Sequence, residues 1–497
     1  MKTLPNNTSK LTPEQQDIFE KIVSSIESKV FSVLKSTNID DYQLSLTGAA
    51  GTGKTFLTTH IAKYLSDMLK ATEKKEYRFT VTAPTHKAVG VLTKILFDNK
   101  IEASCRTLHS FLGIRPFTDY ATGEEKFTID KTKKVKESTS VLIVDESSMI
   151  GAELYEYIVE AIEDGRINMV LFIGDPYQLL PVDNSENKIY ALKNSFVLNE
   201  VVRQAKDSYI IKLATKIRER IKYKNYIDIK QFIKENIEPE IEFFHNKESF
   251  LQDFYKNSEW YKENKILATF KNKDVDAFNR TVRNKYWEQQ GNDTPSTLLQ
   301  GDRLRFKDTY SVGDVTVYHN GQEIELGSAV LKYHNDLQIE YWECREINVT
   351  EQQIFRVVDP DSMKVFNDKL KIIAAMAKKA SYPQNKYFWR LFFQTRDMFA
   401  DVQYVHSSTI HKLQGSTYDV AYVDMFALAH NSYMSDDDKY RLFYVAITRA
   451  SKDIKIFISA FENSAMSFNQ TNGRDSVNIV EEHNNIDSIL SSIDFRE

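Results

Sequence analysis

Short apolar runs separated by helical spacing set the pattern of this chain. Gln43–Thr47, Ser140–Val144 and Asn168–Ile173 are such runs, each stopping at glycine or a carboxylate, and Phe56–Leu69 has apolar residues at helical intervals. Runs of this length bounded by turn residues predict buried strands, and their alternation with helices predicts an α/β layer with a parallel sheet. Further on, Val420–Val423 and Asp453–Ile458 predict strands, with a helix through Leu442–Ala450 between them. Two stretches break the pattern. In Phe111–Lys136, Phe117-Thr-Asp-Tyr120 and Lys126-Phe-Thr-Ile129 flank the turn Ala121-Thr-Gly-Glu124, which predicts a hairpin. From Gly301 to about Gln403, alternating apolar residues and the turn Asn320-Gly321 predict a small β barrel, followed by a helical, aromatic- and cation-rich stretch from Asp361 to Asp401. Phe461–Glu497 is polar and acidic towards its end.

Composition changes this picture little. The 497 residues, 42% hydrophobic and 27% charged, suit a globular protein of two or more domains. No run of about 18 apolar residues predicts a membrane span, and Met1–Lys10 lacks the apolar core of a signal peptide. Cys105 and Cys344 alone argue against a disulfide framework or zinc site, and together these features imply a cytoplasmic setting. The net charge of −5 does not mark a nucleic-acid binder, although a sliding protein needs only a basic track.

The chemistry lies at the strand ends. Gly48-Ala49-Ala50-Gly51-Thr52-Gly53-Lys54-Thr55 stands between strand and helix, the context of a phosphate-binding P-loop. Lys54 is suited to the β- and γ-phosphates of ATP and Thr55 to Mg²⁺. Asp145 is placed to hold Mg²⁺ through water, and Glu146 to polarise an attacking water. Gln178, in Gly174-Asp175-Pro176-Tyr177-Gln178, is suited to sense the γ-phosphate.

Thr409-Ile-His411-Lys412-Leu-Gln414-Gly415 and Leu442-Phe-Tyr-Val-Ala-Ile-Thr-Arg449-Ala450 carry the theme downstream, and with them the string of motifs resembles superfamily 1 helicases. The likeness lies in the RecD-like 5′→3′ branch, towards Dda-like phage helicases, and spans nearly the whole chain. Leu11-Thr12-x-x-Gln15 resembles the motif whose glutamine reads the adenine edge, with Gln16 as fallback; Ala83-Pro84-Thr85-His86-Lys87-Ala88 resembles motif Ia, and Thr107-Leu108-His109-Ser110 motif Ib. Leu198-x-Glu200-Val201-x-Arg203-Gln204 resembles motif IV, and Phe270–Arg283, with Asn272, the opening of the second motor domain.

The resemblance implies two tandem RecA-like P-loop NTPase domains, residues 1–105 with 137–203 and 204–303 with 404–497. It further implies a pin hairpin inserted at 106–136 and an SH3-like β barrel with a helical extension at 304–403. ATP would sit between the lobes, with Gln414 and Gly415 at the nucleotide and Arg203 and Arg449 as arginine fingers, a role worth about 10³–10⁵ in rate. Single-stranded DNA would run over Pro84, Thr85, His86, Thr107, Asn272, Thr409, His411 and Lys412, where bases can stack and phosphates be held. Phe127, supported by Pro116 and with Tyr120 as second choice, would be the wedge of the pin, and Trp389 its brace; Phe392 and Phe393 read as core. The expected partners are single-stranded and fork duplex DNA and a phage single-strand-binding protein, the expected state a monomer, and the expected role replication or recombination. The alternatives left open are a translocase that mainly displaces proteins or remodels RNA, and 3′→5′ travel.

Overall fold

The computed structural model describes residues 11–30, 38–71, 78–129, 137–181, 187–201, 208–236, 240–293, 295–313, 315–347 and 353–458. Two parallel sheets dominate. In the first, the strands run in the order Ser104–Thr107, Phe79–Ala83, Val141–Val144, Val170–Gly174, Gln43–Gly48, Ser195–Leu198. Helices Pro13–Val30, Lys54–Ala71, His86–Asp98 and Ala152–Glu163 belong to this lobe. Strands covered on both faces read as unbroken apolar runs rather than alternating ones. Val141-Leu-Ile-Val144 is the plainest case, buried at every position, with Ile143 in one core and Leu142 in the other.

The second sheet has the order Ser407–Thr409, Lys265–Thr269, Tyr418–Asp424, Ala450–Phe457, Glu242–Phe244, again all parallel. One core, with Ile266, Val423 and Ile454, takes the helices Tyr209–Tyr223 and Asp436–Ile447. The other is an aromatic cluster around Phe250, Phe254, Trp260, Phe278 and Tyr422.

A third, antiparallel sheet interrupts this lobe, in the order Ile354–Val358, Ile339–Glu346, Glu323–His334, Arg303–Phe306, Val402–Tyr404. Arg303–Phe306 and Val402–Tyr404, its first and last strands along the chain, pair, so the chain enters and leaves the insertion at one place. The entry is held by Asp302, fully buried, which accepts from Arg283 Nε and Nη2, Trp287 Nε1 and the Leu299 amide, all at 2.8 Å. A buried charge persists only when paired and hydrogen-bonded in this way. The expected single helical stretch is two helices, Met363–Lys379 and Gln384–Asp397, because Pro383 lacks the amide that a continuous helix would need. A separate hairpin, Ile114–Asp119 with Glu124–Ile129, leaves the first lobe. Among the described residues no helix is long and apolar enough to cross a membrane.

Candidate active site

The strand Gln43–Gly48 opens directly onto a turn in which Gly51 and Gly53 each have φ of 81°. A Cβ on Gly48 would lie 2.6 Å from Thr52 Oγ1, so glycine lets the loop fold back on the strand end. Lys54 Nζ donates to the carbonyls of Gly48 (2.6 Å) and Ala49 (3.0 Å) and lies 4.0 Å from Asp175. Gln15, only 2% exposed, donates to the Thr52 carbonyl at 3.2 Å and accepts from the Thr12 amide at 3.1 Å. Its amide therefore buttresses the loop. Gln16 faces outward and donates to Glu20.

Asp145 and Glu146 follow Val144 at the sheet's carboxyl end. Glu146 has φ 51° and ψ 41°, a left-handed conformation that costs a non-glycine residue about 1–3 kcal/mol and concentrates at functional positions. Burial, with the Glu146 charge beside it, pushes the Asp145 carboxyl up to about 7. Burial also raises Glu146, against the pull of Arg449 and Lys54. Asp175, 1% exposed, is a third carboxylate here, beside the half-buried Asp145 and Glu146. This surplus of negative charge fits a divalent cation. Thr55, in the first turn of Lys54–Ala71, and Asp145, just past Val141–Val144, are the residues that would hold it. Mg²⁺ is ordinarily held by one or two protein groups, which these two residues could supply, together with nucleotide phosphates.

The second lobe closes on this site. Gln414 Nε2 donates to Ser148 Oγ and to Gln178 Oε1, both at 3.2 Å, and Gly415 lies against Glu146. Arg449 is 6% exposed and donates to the carbonyls of Val445, Leu413 and Ser416. Its guanidinium is close enough to Glu146 for each to steady the other's charge. The helix expected to run through Arg449 ends at Ile447, which leaves Arg449 at the helix end, just before the strand Ala450–Phe457. Arg203 lies outside the described residues.

Two cross-lobe residues escaped the sequence reading. The Tyr444 hydroxyl accepts from the Ala50 amide (3.0 Å) and donates to Asp175 Oδ2 (2.7 Å), tying the P-loop to the next strand end. Arg441 donates to the carbonyls of Pro176 and Gln178, both at 2.8 Å, and pairs with Asp437. Both lie within or beside a quoted motif, but spacing alone does not say which of its residues face the partner lobe.

The strand-track candidates sit at sheet ends. Thr85 and Thr107 cap the helices that follow them, accepting from the Ala88 and Ser110 amides, and Pro84 precedes Thr85 in the same turn. His86 stacks on His319 of the antiparallel sheet's insertion at 4.1 Å. Burial and the neighbouring His319 and His109 lower its pKa. His109 in turn lies 5.8 Å from Phe127. In the second lobe Thr409 is buried, Lys412 exposed, His411 6.0 Å from Phe270, and Asn272 begins the helix Asn272–Gln289. His319 and His109 join the row of rings; no sequence signal marks His319.

In the hairpin Pro116 pairs with Phe127, which is 63% exposed. Phe117, also exposed, pairs with Lys126. Tyr120, second choice as wedge, instead packs edge-on to Phe393 at 6.1 Å, with Arg390 over its ring. Trp389 lies on the turn so closely that a Cβ on Gly123 would be 2.3 Å from its Cε2. Asn385 donates to the Ala121 carbonyl at 2.9 Å, and Arg396 makes a two-pronged pair with Glu125 at 2.7 and 2.9 Å. Phe393 is buried and Phe392 half-buried.

Fold and site are those of an ATP-dependent helicase. Sequence comparisons with known proteins agree. Residues 32–230 match a family described as AAA domain, and 404–454 one described as UvrD-like helicase C-terminal domain. The chain is similar to the ATP-dependent DNA helicase Dda of Enterobacteria phage T4, 26% identical over 486 residues, 89% of this chain and 98% of that protein. It is 28% identical over 149 residues to the RecD subunit of the RecBCD enzyme of Mycobacterium tuberculosis, 28% of this chain and 24% of that one. Among solved structures, the Pif1 helicase of Candida albicans matches with 18% identity and a TM-score of 0.43, covering 90% of this chain and 94% of that one.

Proposed function

We propose that the chain is an ATP-driven DNA helicase that binds single-stranded DNA, travels along it 5′→3′ and opens duplex DNA at a fork. The observation that carries the reading is the meeting, in one cleft, of Gln414 and Arg449 from one lobe with Gln178 and Glu146 from the other. A contact network across two lobes makes the state of one phosphate cluster decide how the lobes sit. The relatives' names supply DNA as the substrate, and the resemblance to the RecD-like branch supplies direction. Because both lobes belong to one chain, a monomer completes the cleft.

In this reading Lys54 leaves the loop carbonyls to hold the β- and γ-phosphates. Glu146 takes a proton from the attacking water, and Gln178 and Gln414 register the γ-phosphate. Arg449 neutralises charge developing on the transferred group. Mg²⁺, held by Thr55 and through water by Asp145, would neutralise the phosphate oxygens. Gln15 keeps the loop in shape for the base. Arg203 serves as the second finger.

His86, Thr85, Pro84 and Thr107 on one lobe, and Asn272, Thr409, His411 and Lys412 on the other, hold the strand. Phe127 with Pro116 forms the wedge of a pin at 106–136. Trp389, Asn385 and Arg396 of the SH3-like domain's helical extension keep it from bending under load. A hairpin alone in water is at best marginally stable, and the clamp at its turn supports this role.

The test is strand separation on duplexes with a 5′ or a 3′ single-stranded tail, in DNA and RNA versions. ATP-dependent opening of 5′-tailed DNA alone is expected. Opening of 3′-tailed DNA would reverse the direction, and ATP turnover on single strands without opening either would favour a protein-displacing translocase.

A further inference from the structure

Away from the ATP cleft, a cavity of about 170 Å³ lies between the second lobe and the antiparallel sheet. One water needs about 10–15 Å³ on this scale, so the space takes a tetrahedral oxyanion and several waters. Several donors on its walls lack a partner. His406 is 6% exposed, and its Nε2 has no hydrogen-bond partner. The Tyr261 hydroxyl is likewise buried and unpartnered, its ring 4.9 Å from that of His406. Arg303 lines the same space, and among the described residues its guanidinium makes no hydrogen bond or ion pair. Arg305 stands beside it.

The cavity's carboxylates are already matched. Glu323 accepts from Arg305 at 2.6 Å and has Lys87 at 3.8 Å, while Glu263 pairs with Lys265 at 2.8 Å. Lys262, also lining the cavity, pairs with Glu259. Arg303 acts on Glu323 only at longer range and makes no ion pair of its own, so the cavity keeps a surplus of positive charge. Buried polar groups find partners in native proteins, and a place where several lack them calls for a ligand.

We infer that this cavity is a second anion site, distinct from the P-loop, where Arg303, Arg305, Tyr261 Oη and His406 Nε2 bind a phosphate-class oxyanion. Arg303 supplies the charge, and the tyrosine and histidine donate one hydrogen bond each. Burial and the nearby arginines push the His406 pKa down to about 3, the behaviour of an imidazole that faces cations. The anion would share Arg305 with Glu323 and so lie three contacts from Lys87, which follows the Pro84–His86 turn. The ligand is either a free phosphate or a phosphate of the bound strand.

The experiment uses full-length protein carrying Lys54→Ala, which weakens the P-loop as a competing site. Its thermal unfolding is followed in sodium phosphate and in sodium chloride of equal ionic strength. Phosphate is expected to raise Tm by about 2–4 °C. Adding Arg303→Gln should abolish that increment, and adding the milder Tyr261→Phe should reduce it in a chain that still folds. An equal increment in all three proteins overturns the site. A second arm separates the sources by measuring oligothymidylate affinity against salt. If the strand supplies the phosphate, Arg303→Gln lowers the slope by about 0.7; if the anion is free, the slope is unchanged while the phosphate increment is still lost.

Discussion

In the first lobe Phe79–Ala83 runs beside Ser104–Thr107 with Ala83 level with Thr107. In the second, Lys265–Thr269 runs beside Ser407–Thr409 with Thr269 level with Thr409. The two pairs of strands end alike, each with a threonine closing the outer strand and a helix leaving the inner one. At the ATP cleft the lobes differ. The first contributes a glycine-built loop and the carboxylates Asp145, Glu146 and Asp175; the second contributes Gln414, Tyr444 and Arg449, which reach across the cleft to the first lobe. Equal strand ends with unequal cleft chemistry are what a machine needs if one chemical event is to move two equivalent handholds past each other.

Several substitutions break or sharpen this comparison. The largest effect belongs to Lys54→Ala, which should reduce ATP hydrolysis to background in a steady-state assay while single-strand binding survives, because the handholds do not include the loop. Arg449→Ala should lower kcat by about 10³-fold with a much smaller change in KM; an unchanged kcat would remove Arg449 from the cleft chemistry. Phe127→Ala should cut unwinding severalfold while DNA-stimulated ATPase stays near normal. Equal loss of both would make the hairpin a part of the fold rather than a tool. His86→Ala should weaken strand binding by about 1–3 kcal/mol in a titration, and His411→Ala by a comparable amount if the handholds are equivalent.

A separate effect concerns acid. The His406 pKa is lowered to about 3, so below about 6.5 the unfolded chain binds a proton that the native chain refuses. Its contribution to stability is therefore present above 6.5 and lost as pH falls towards 3, by about 1.4 kcal/mol per unit. His406→Gln should flatten that limb in denaturant melts between pH 7 and 5.

The strand ends of the first lobe were legible because a buried parallel strand must be apolar throughout and a phosphate loop must be glycine-rich. Val141–Val144 and Gly48–Thr55 satisfy both demands locally. The hairpin was legible from its turn, and Trp389 was nominated by resemblance. Tyr444 was not legible as a partner of Ala50, because the two are 394 residues apart and no periodicity encodes such a contact. His319 was hidden for the same reason: its stacking on His86 depends on how the insertion sits against the first lobe. The helix end at Ile447 was misplaced because Thr448-Arg449-Ala450 has no helix-breaking residue, and the turn is set by the Arg449 guanidinium reaching back to the Val445, Leu413 and Ser416 carbonyls.

ATP turnover is expected to move the two strand-end sites along DNA, which stopped-flow translocation on oligothymidylates of increasing length, labelled at one end, can measure. A delay in the signal from a 3′-end label that grows in proportion to length and requires ATP is predicted. ATP hydrolysis with an arrival time independent of length would contradict it.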